Sequence, residues 1–417
     1  MGVHPRSMSV VGTTDAGDVV CGVLAADDAH DRPLTRAAAT GATAGALASP
    51  LSEPEAPPHP SGLVRIRARR LSPIPYDSHE WSTAMSAIPL IIDTDTGSDD
   101  AVALLLAAAS GLGDIRAVTT VAGNVPVETG TRNALISLET AGRTDIPVHP
   151  GCARPMTQAL STAQHVHGED GMGDIGLPDP AATCHRTHAI ETLLSSPHRY
   201  PGELTLVTLA PLTNIAAALM RDPELFTRYR HVYCMAGAAD LCGNVSPTAE
   251  FNVWADPEAA RIVTRAATPE KVTWIGWDVS RKDAVMTPSD QQRLEQIGTP
   301  MATFAHRINR TVNDWARDVT GLTGYDLPDP VAMAVALDPS LVTEQERVHV
   351  DISVTDDTRG QMIIDRRMSA PAPNITLVRR VDEAGFKKLL FDTVTTPLPG
   401  SPLTDAAAPA LRPGSAS

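Results

Sequence analysis

Positive charge, paired cysteines and long apolar runs are all scarce in this chain of 417 residues. Asp and Glu number 49 against 34 Lys and Arg, which gives a formal charge of −15. A surface of that sign repels phosphate backbones and anionic lipid headgroups, which argues against nucleic-acid and membrane-surface partners. The sequence also contains no run near the ~18 uninterrupted apolar residues that a membrane-spanning helix needs.

The cysteines are few and do not form a pairing pattern. There are five of them, an odd number, and none belongs to a Cys-x-x-Cys pair. This spacing argues against a disulfide framework and predicts unpaired thiols in a reducing compartment, the cytoplasm. Hydrophobic residues make up 42% of the chain, which is enough for a sizeable core.

Composition divides the chain into three parts. Residues 1–85 mix Ala, Gly, Ser, Thr and Pro without a sustained helical or strand period, so we expect a disordered N-terminal extension. An alternative is that Met85 is the natural start and that the upstream sequence is mis-assigned. Residues 86–396 carry the pattern of one large folded domain, and residues 397–417 are expected to form a flexible tail.

Within the central part, short apolar runs alternate with helix-like stretches. Ile88–Asp93 is predicted to be a buried strand and Ser98–Ala109 a helix with a Ser N-cap. Further strands are predicted over 115–121, 146–149, 204–209, 231–235 and 272–277, and further helices over 127–141, 213–220, 257–265 and 301–317. This alternation predicts an α/β fold with a mostly parallel central sheet flanked by helices. Ligands of such sheets gather at the carboxyl ends of the strands.

An acidic turn joins the first predicted strand to the first predicted helix, in the order Asp93-Thr94-Asp95-Thr96-Gly97-Ser98-Asp99-Asp100. Carboxylates this close to low-dielectric walls cannot all stay ionised unless a cation joins them or some take up protons. All the ligand atoms are hard oxygens, which favours Ca²⁺ or Mg²⁺ over zinc. A solvated helix N-terminus would explain Asp99 and Asp100, but not two carboxylates at an apolar strand end.

Two enzyme classes use a strand that ends in Asp-x-Asp. A haloacid-dehalogenase-like phosphatase would use Asp93 as nucleophile and Asp95 as general acid with Mg²⁺, but residues 96–100 continue differently from its pattern. The closer resemblance is to the inosine–uridine-preferring nucleoside hydrolases, whose N-terminal signature resembles D-x-D-x-G-x-D-D-A. The resemblance continues in order through the segments 118–124, 165–173, 206–216, 243–260 and 329–330.

The resemblance implies a nucleoside-hydrolase-like domain with a Rossmann-like core, a ribonucleoside substrate, Ca²⁺ as cofactor, and a homodimer or homotetramer. It implies that calcium is held by Asp95, Asp100, Asp329 and the backbone carbonyl of Leu209. Asp95 would also be the general base that activates the attacking water, and Asp93 would support the loop. The implied substrate-binding side chains are Asp99, Asn124, Met235, Asn244, Glu250, Phe251 and Asn252.

One departure from the family pattern affects the leaving group. Many members have His immediately before the last calcium-binding Asp, whereas this chain has Pro328, which cannot donate a proton. Another residue would then protonate the departing base, or the base is intrinsically a better leaving group. The candidate donors are His167, His306, Arg310 and Tyr325. Trp315 or Tyr325 could stack on the base. An alternative function is a nucleoside- or ribose-binding protein that keeps the calcium site but has lost efficient turnover.

Overall fold

The structure of the protein is a computed structural model that describes residues 87–240 and 243–397. The predicted extension over residues 1–85 and the predicted tail after Pro397 lie outside the described residues. Within the described part, the chain forms a mixed nine-stranded sheet and a separate two-stranded antiparallel pair. The strands are β1 Ile88–Thr94, β2 Gly113–Thr120, β3 Val148–Pro150, β4 Thr205–Thr208, β5 His231–Met235, β6 Val272–Ile275, β7 Val285–Met286, β8 Tyr325–Asp326, β9 Val342–Ile352, β10 Met362–Asp365 and β11 Ile375–Val381.

The large sheet is mostly parallel, with the spatial order β10-β9-β11-β6-β5-β4-β1-β2-β3. All neighbouring pairs from β11 to β3 run parallel, and β9 pairs antiparallel with both β11 and β10. The small pair consists of β7 and β8. The predicted α/β fold with a mostly parallel central sheet is therefore confirmed.

Helices follow most of the strands. They are α1 Ser98–Ala109, α2 Val127–Thr140, α3 Gln164–His167, α4 Ala189–Arg199, α5 Thr213–Arg221, α6 Leu225–Arg228, α7 Phe251–Ala255, α8 Pro257–Ala266, α9 Trp277–Asp283, α10 Pro288–Ile297, α11 Pro300–Ile308, α12 Arg310–Trp315, α13 Pro328–Leu337 and α14 Glu383–Thr395. In the described part of the chain, none of the helices has both the length and the apolar character that crossing a membrane requires.

Side-chain alternation along the strands builds a core on each face of the sheet. In β1, Leu90 and Ile92 pack into one apolar cluster and Ile91 packs into the other. All three side chains are fully buried, as expected for a central parallel strand covered by helices on both faces. The first cluster includes α1, α2, α13 and α14, and the second includes α5 and α8.

The packing of α1 against α13 positions the acidic residues. Both helices are apolar on nearly every side and lie in the same core cluster, in contact with each other. Asp99 and Asp100 lie in the first turn of α1, and Asp329 lies in the first turn of α13. The positive end of each helix dipole therefore faces carboxylates, which partly offsets the cost of burying them.

Three local predictions are wrong in detail. Gly97, not Ser98, is the N-cap of α1, because the Ser98 hydroxyl pairs with His167 and the Asp100 carboxylate accepts the Gly97 N–H at 3.0 Å. Strand β6 ends at Ile275, and α9 then begins at Trp277. The single helix predicted over 301–317 is interrupted at Asn309, whose amide donates to the Ala305 carbonyl at 2.9 Å. Such a side-chain bond competes with the helical ladder.

Candidate active site

The strand ends converge on one cavity. The order β3-β2-β1-β4-β5-β6 reverses its direction of winding between β1 and β4, the point at which open parallel sheets form a ligand crevice. A cavity of about 210 Å³ lies there. Of the predicted site residues, Asp95 and Asp100 are fully buried beneath its surface. The others line it: Asp99, Asn124, His167, Leu209, Met235, Asn244, Glu250, Phe251, Asn252 and Asp329.

Three carboxylates meet at the N-terminal ends of α1 and α13. One oxygen each from Asp99, Asp100 and Asp329 lies within 4.8 Å of the others. Asp329 is 230 residues further along the chain than Asp99, so the fold and not the local sequence brings them together. We call these three residues the acidic trio.

Asp95 lies beside the acidic trio. Its Oδ2 atom accepts the backbone N–H of Asn124 at 2.5 Å, whereas its Oδ1 atom is buried without a hydrogen-bond partner. Its charge contributes to the raised pKa of Asp329. Asp93 points elsewhere, since its Oδ1 atom accepts hydrogen bonds from Thr119 and Asn214. Asp93 therefore ties the strand end to its neighbours.

Burial and mutual repulsion raise the pKa values of these acids. Burial raises the pKa of Asp99 and of Asp100 to about 6; the charge of Asp326 further raises the pKa of Asp99, and the charge of Asp99 further raises that of Asp100. Burial, followed by the charge of Asp100, raises the pKa of Asp95 and Asp329 well above their usual range. The site therefore favours anything that neutralises negative charge.

The donor set fits a hard cation. Asp95 Oδ1 and Asp99 Oδ1 are buried oxygens without hydrogen-bond partners, which is costly unless another ligand reaches them. Leu209 also lines the cavity, and its carbonyl oxygen accepts the amide of Asn252 at 2.9 Å, which leaves one lone pair free. An all-oxygen set of this kind suits Ca²⁺ or Mg²⁺.

Metal-free protein is expected to lose stability as the pH rises. Asp93, with a pKa of about 7, and Asp99 and Asp100, at about 6, hold protons in the folded state that the unfolded chain releases near 3.8. Stability is therefore present near pH 4 and falls as the pH rises to about 7, by roughly 3 kcal/mol for one such group. Thermal melts of chelator-treated protein between pH 4.5 and 8 measure this effect.

A paired variant separates the trio from other titrating groups. Asp99→Asn combined with Asp100→Asn should flatten the fall in melting temperature, and the exposed Asp179→Asn should leave it unchanged. A divalent cation should restore stability mainly at the higher pH, because it competes with protons for the same oxygens. An equal fall in the double variant and the parent would show that the trio does not cause it.

Amide and carboxylate groups surround the rest of the polar end of the cavity. Asn124 donates through Nδ2 to Asp100 at 3.1 Å, and Asn252 donates to the carbonyl oxygen of Met235 at 3.2 Å. Asn244 has a side-chain oxygen without a partner. Glu250 caps α7 by accepting the backbone N–H of Asn252 at 2.8 Å. Burial raises the pKa of Glu250 to about 7.

His167 lines the same cavity from α3. Its Nδ1 atom lies 2.9 Å from the Ser98 hydroxyl and 3.8 Å from Asp99 Oδ1. Burial lowers the pKa of His167 to about 4, despite the opposing charge of Asp100. In the metal-free protein the imidazole is therefore neutral at pH 7.

The other candidate donors to a leaving base are placed differently. His306, Arg310 and Tyr325 line a second cavity of about 220 Å³, and none of them is among the residues that line the first. Helix α12 lies between the two cavities, since its Arg310 lines the second whereas its Val312 and Trp315 line the first. The predicted proximity of Trp315 to the site agrees with this placement.

Several residues that line the first cavity were not predicted from the sequence, in particular Trp254, Trp277 and Asp326. Trp277 directly follows β6, so the rule that ligands gather at parallel strand ends could have indicated it. Asp326 precedes Asp329 by three residues. It lies on β8, a strand of two residues that is too short to show an alternation of apolar and polar residues in the sequence.

Comparison with known proteins gives consistent matches. The family model described as inosine-uridine preferring nucleoside hydrolase matches residues 90–388. The pyrimidine-specific ribonucleoside hydrolase RihA of Escherichia coli is 36% identical over 308 residues, which cover 73% of this chain and 98% of that protein.

Solved structures agree with these sequence matches. The plant nucleoside hydrolase PpNRh1 superposes with a TM-score of 0.70 at 31% identity, covering 74% of this chain and 99% of that one. The purine-preferring ribonucleoside hydrolase from Gardnerella vaginalis superposes with a TM-score of 0.69 at 31% identity, covering 74% and 98%.

Proposed function

The chain belongs to the inosine–uridine-preferring nucleoside hydrolase family and is a ribonucleoside N-glycosyl hydrolase, and we propose that it acts with a calcium ion held by Asp95, Asp100, Asp329 and the Leu209 carbonyl. The observation that carries the proposal is the meeting of Asp100 and Asp329 within the acidic trio at the sheet's switch point, beside the buried Asp95 Oδ1 atom that has no partner. The products are free base and ribose.

The chemistry requires a nucleophilic water, a firmly held ribose and a stabilised departing base, because the transition state resembles a ribosyl cation. When bound, a hard divalent cation would lower the pKa of a water molecule and hold two vicinal hydroxyls. Asp95 Oδ1 has no hydrogen-bond partner, so it is free to take the proton of the attacking water. The backbone N–H of Asn124 fixes the other oxygen of the same carboxylate.

The remaining polar side chains are proposed to bind the sugar. Asn124, Asn244, Glu250 and Asn252 line the cavity beside the trio, Asp99 faces the same cavity from within the trio, and together they offer both donors and acceptors. Met235 and Phe251 add an apolar surface on which a flattened ring can lie. Several of these groups are already fixed by hydrogen bonds to the backbone, which reduces the entropy lost on binding.

We propose that His167 stabilises the departing base as a hydrogen-bond donor. The other three candidates line the second cavity, whereas His167 lines the first. We propose that the Ser98 hydroxyl donates to Nδ1, which places the ring hydrogen on Nε2. A neutral imidazole can then offer this N–H to a ring nitrogen or carbonyl oxygen of the base.

Ribonucleosides are expected to be strongly preferred over 2′-deoxyribonucleosides. A site built to pair each hydroxyl leaves buried polar groups unsatisfied when one hydroxyl is missing, and such sites reject the analogue by about 10³-fold or more. The kcat/KM values for uridine and 2′-deoxyuridine, and for inosine and 2′-deoxyinosine, measure this ratio. A ratio below tenfold would contradict the sugar assignment.

A substrate panel tests the proposed function. Uridine, cytidine, inosine, adenosine and guanosine cover the pyrimidine and purine preferences named for the similar proteins. Base release that is lost with a chelator and restored by Ca²⁺ would support the proposal. Ca²⁺-dependent nucleoside binding without base release would instead favour the binding-protein alternative, which Pro328 motivates. Phosphate release from p-nitrophenyl phosphate that requires Asp93 and Mg²⁺ would favour the phosphatase.

A homodimer or homotetramer and a cytoplasmic location stay predictions.

A further inference from the structure

Asp326 is an acidic residue of the cavity that the proposed mechanism does not use. It lies on β8, whose neighbouring residue Tyr325 lines the second cavity while Asp326 lines the first. This opposite placement follows from the two-residue period of a strand. The pairing of Asp326 with Val285 of β7 fixes the backbone at this position.

The carboxylate of Asp326 is held in a defined orientation. The Ser280 hydroxyl donates to its Oδ2 atom at 2.6 Å. Asp326 is 7% exposed, and the surface it exposes contributes to the cavity. Burial raises the pKa of Asp326, and the Ser280 hydroxyl and the Arg281 guanidinium act against this rise. Donors directed at the carboxylate favour its ionised form, which can only accept hydrogen bonds.

Asp326 shares the cavity with flat and apolar residues. Trp277, Val312, Trp315 and Pro328 line the cavity together with it, and its charge also reaches Asp99, whose pKa it raises. Aromatic surfaces of this kind suit a planar base. Outside the trio and the groups assigned to sugar or proton transfer, Asp326 is the acidic residue among the described residues that line this cavity.

We propose that Asp326 selects the nucleobase by accepting a hydrogen bond from a ring N–H or an exocyclic amine, while Ser280 holds its carboxylate in place. This inference rests on the proposed function. The substrate class is therefore a ribonucleoside whose base presents a hydrogen-bond donor, and a base without one leaves a buried carboxylate unpaired. Pro328, which has no side-chain polar atom, is two residues away and cannot supply this contact.

Paired substrates test the proposal. The pairs are uridine with 3-methyluridine, inosine with 1-methylinosine, and adenosine with purine riboside, where the second member lacks the N–H donor. The reference substrate is 4-nitrophenyl β-D-ribofuranoside, whose leaving group has no N–H. The wild-type protein should prefer the donor-bearing member of its best pair by about 10²-fold or more in kcat/KM.

Three variants identify the residue responsible. Asp326→Ala should remove most of that preference and lower kcat/KM for the donor-bearing nucleoside by about 10²-fold, with less than threefold loss on the nitrophenyl riboside. Ser280→Ala should cause a smaller loss of the same preference and a smaller fall in kcat/KM, because the carboxylate remains but is less well oriented. Asp314→Asn, an exposed change at the second cavity, should match the wild type on every substrate.

The outcomes separate the proposal from the proposed function. Failure of the wild-type protein to cleave any ribonucleoside or the nitrophenyl riboside would overturn the proposed function itself. Cleavage of both members of every pair at equal rates would overturn base selection by Asp326 and leave ribosyl hydrolysis intact. An equal loss in Asp326→Ala on nucleosides and on the nitrophenyl riboside would also overturn it, because the residue would then act only through the structure.

Discussion

Asp95→Asn is expected to lower kcat by about 10³-fold or more while leaving the fold intact. The substitution keeps the shape of the side chain and an oxygen for the backbone N–H of Asn124, but it removes the basic carboxylate oxygen that has no partner in the structure. One buried negative charge disappears from a site where carboxylates repel one another, so the melting temperature of metal-free protein should not fall.

Steady-state base release and thermal melts measure the two effects separately. Asp93→Asn is the matched comparison, because Asp93 precedes Asp95 by two residues and its Oδ1 atom is already paired with Thr119 and Asn214. It should act mainly on stability, with less than a tenfold loss of kcat. A larger loss in Asp93→Asn than in Asp95→Asn would reverse the assignment of the general base.

Asp329→Ala is expected to weaken Ca²⁺ binding by about 10²-fold or more and to abolish activity at ordinary calcium concentrations. Asp329 is 3% exposed, and it is the member of the trio contributed by α13. The negative charge of Asp329 repels those of Asp99 and Asp100, so its removal should raise the melting temperature of metal-free protein at pH 8. The additional rise in melting temperature that Ca²⁺ causes should become smaller.

Calorimetric titration with Ca²⁺ provides the measurement, and Asp314→Ala, a change of the same type at an exposed position, serves as control. A lower melting temperature in metal-free Asp329→Ala would point to a helix-capping role at the start of α13. An unchanged calcium titration would remove Asp329 from the proposed metal site.

The sequence was informative about features with a strong local signal. The apolar run of β1 and the acidic residues after it predicted a strand followed by a helix, and α1 begins at Ser98 as expected. The mostly parallel sheet followed from repeated alternation of strands and helices. The placement of Asp329 with Asp100 rested on the family resemblance, because no local pattern links residues so far apart in the chain.

Features that depend on tertiary packing were harder to predict. Opposite faces of α12 meet different cavities, because Arg310 lines the second cavity with His306 whereas Trp315 lines the first. The sequence of this segment does not indicate which face meets the substrate cavity. Asp326 was missed because a two-residue strand has no measurable period, and only its partner strand β7 fixes its orientation.

A crystal structure of Asp95→Asn grown with Ca²⁺ and a slowly cleaved ribonucleoside tests the central claim most directly. The expected result is a single ion in contact with the carboxylates of Asp100 and Asp329 and the Leu209 carbonyl, with the ribose against Asn124, Asn244 and Asn252. An ion bound elsewhere, or a nucleoside bound in this cavity with the acidic trio free of any cation, would contradict it.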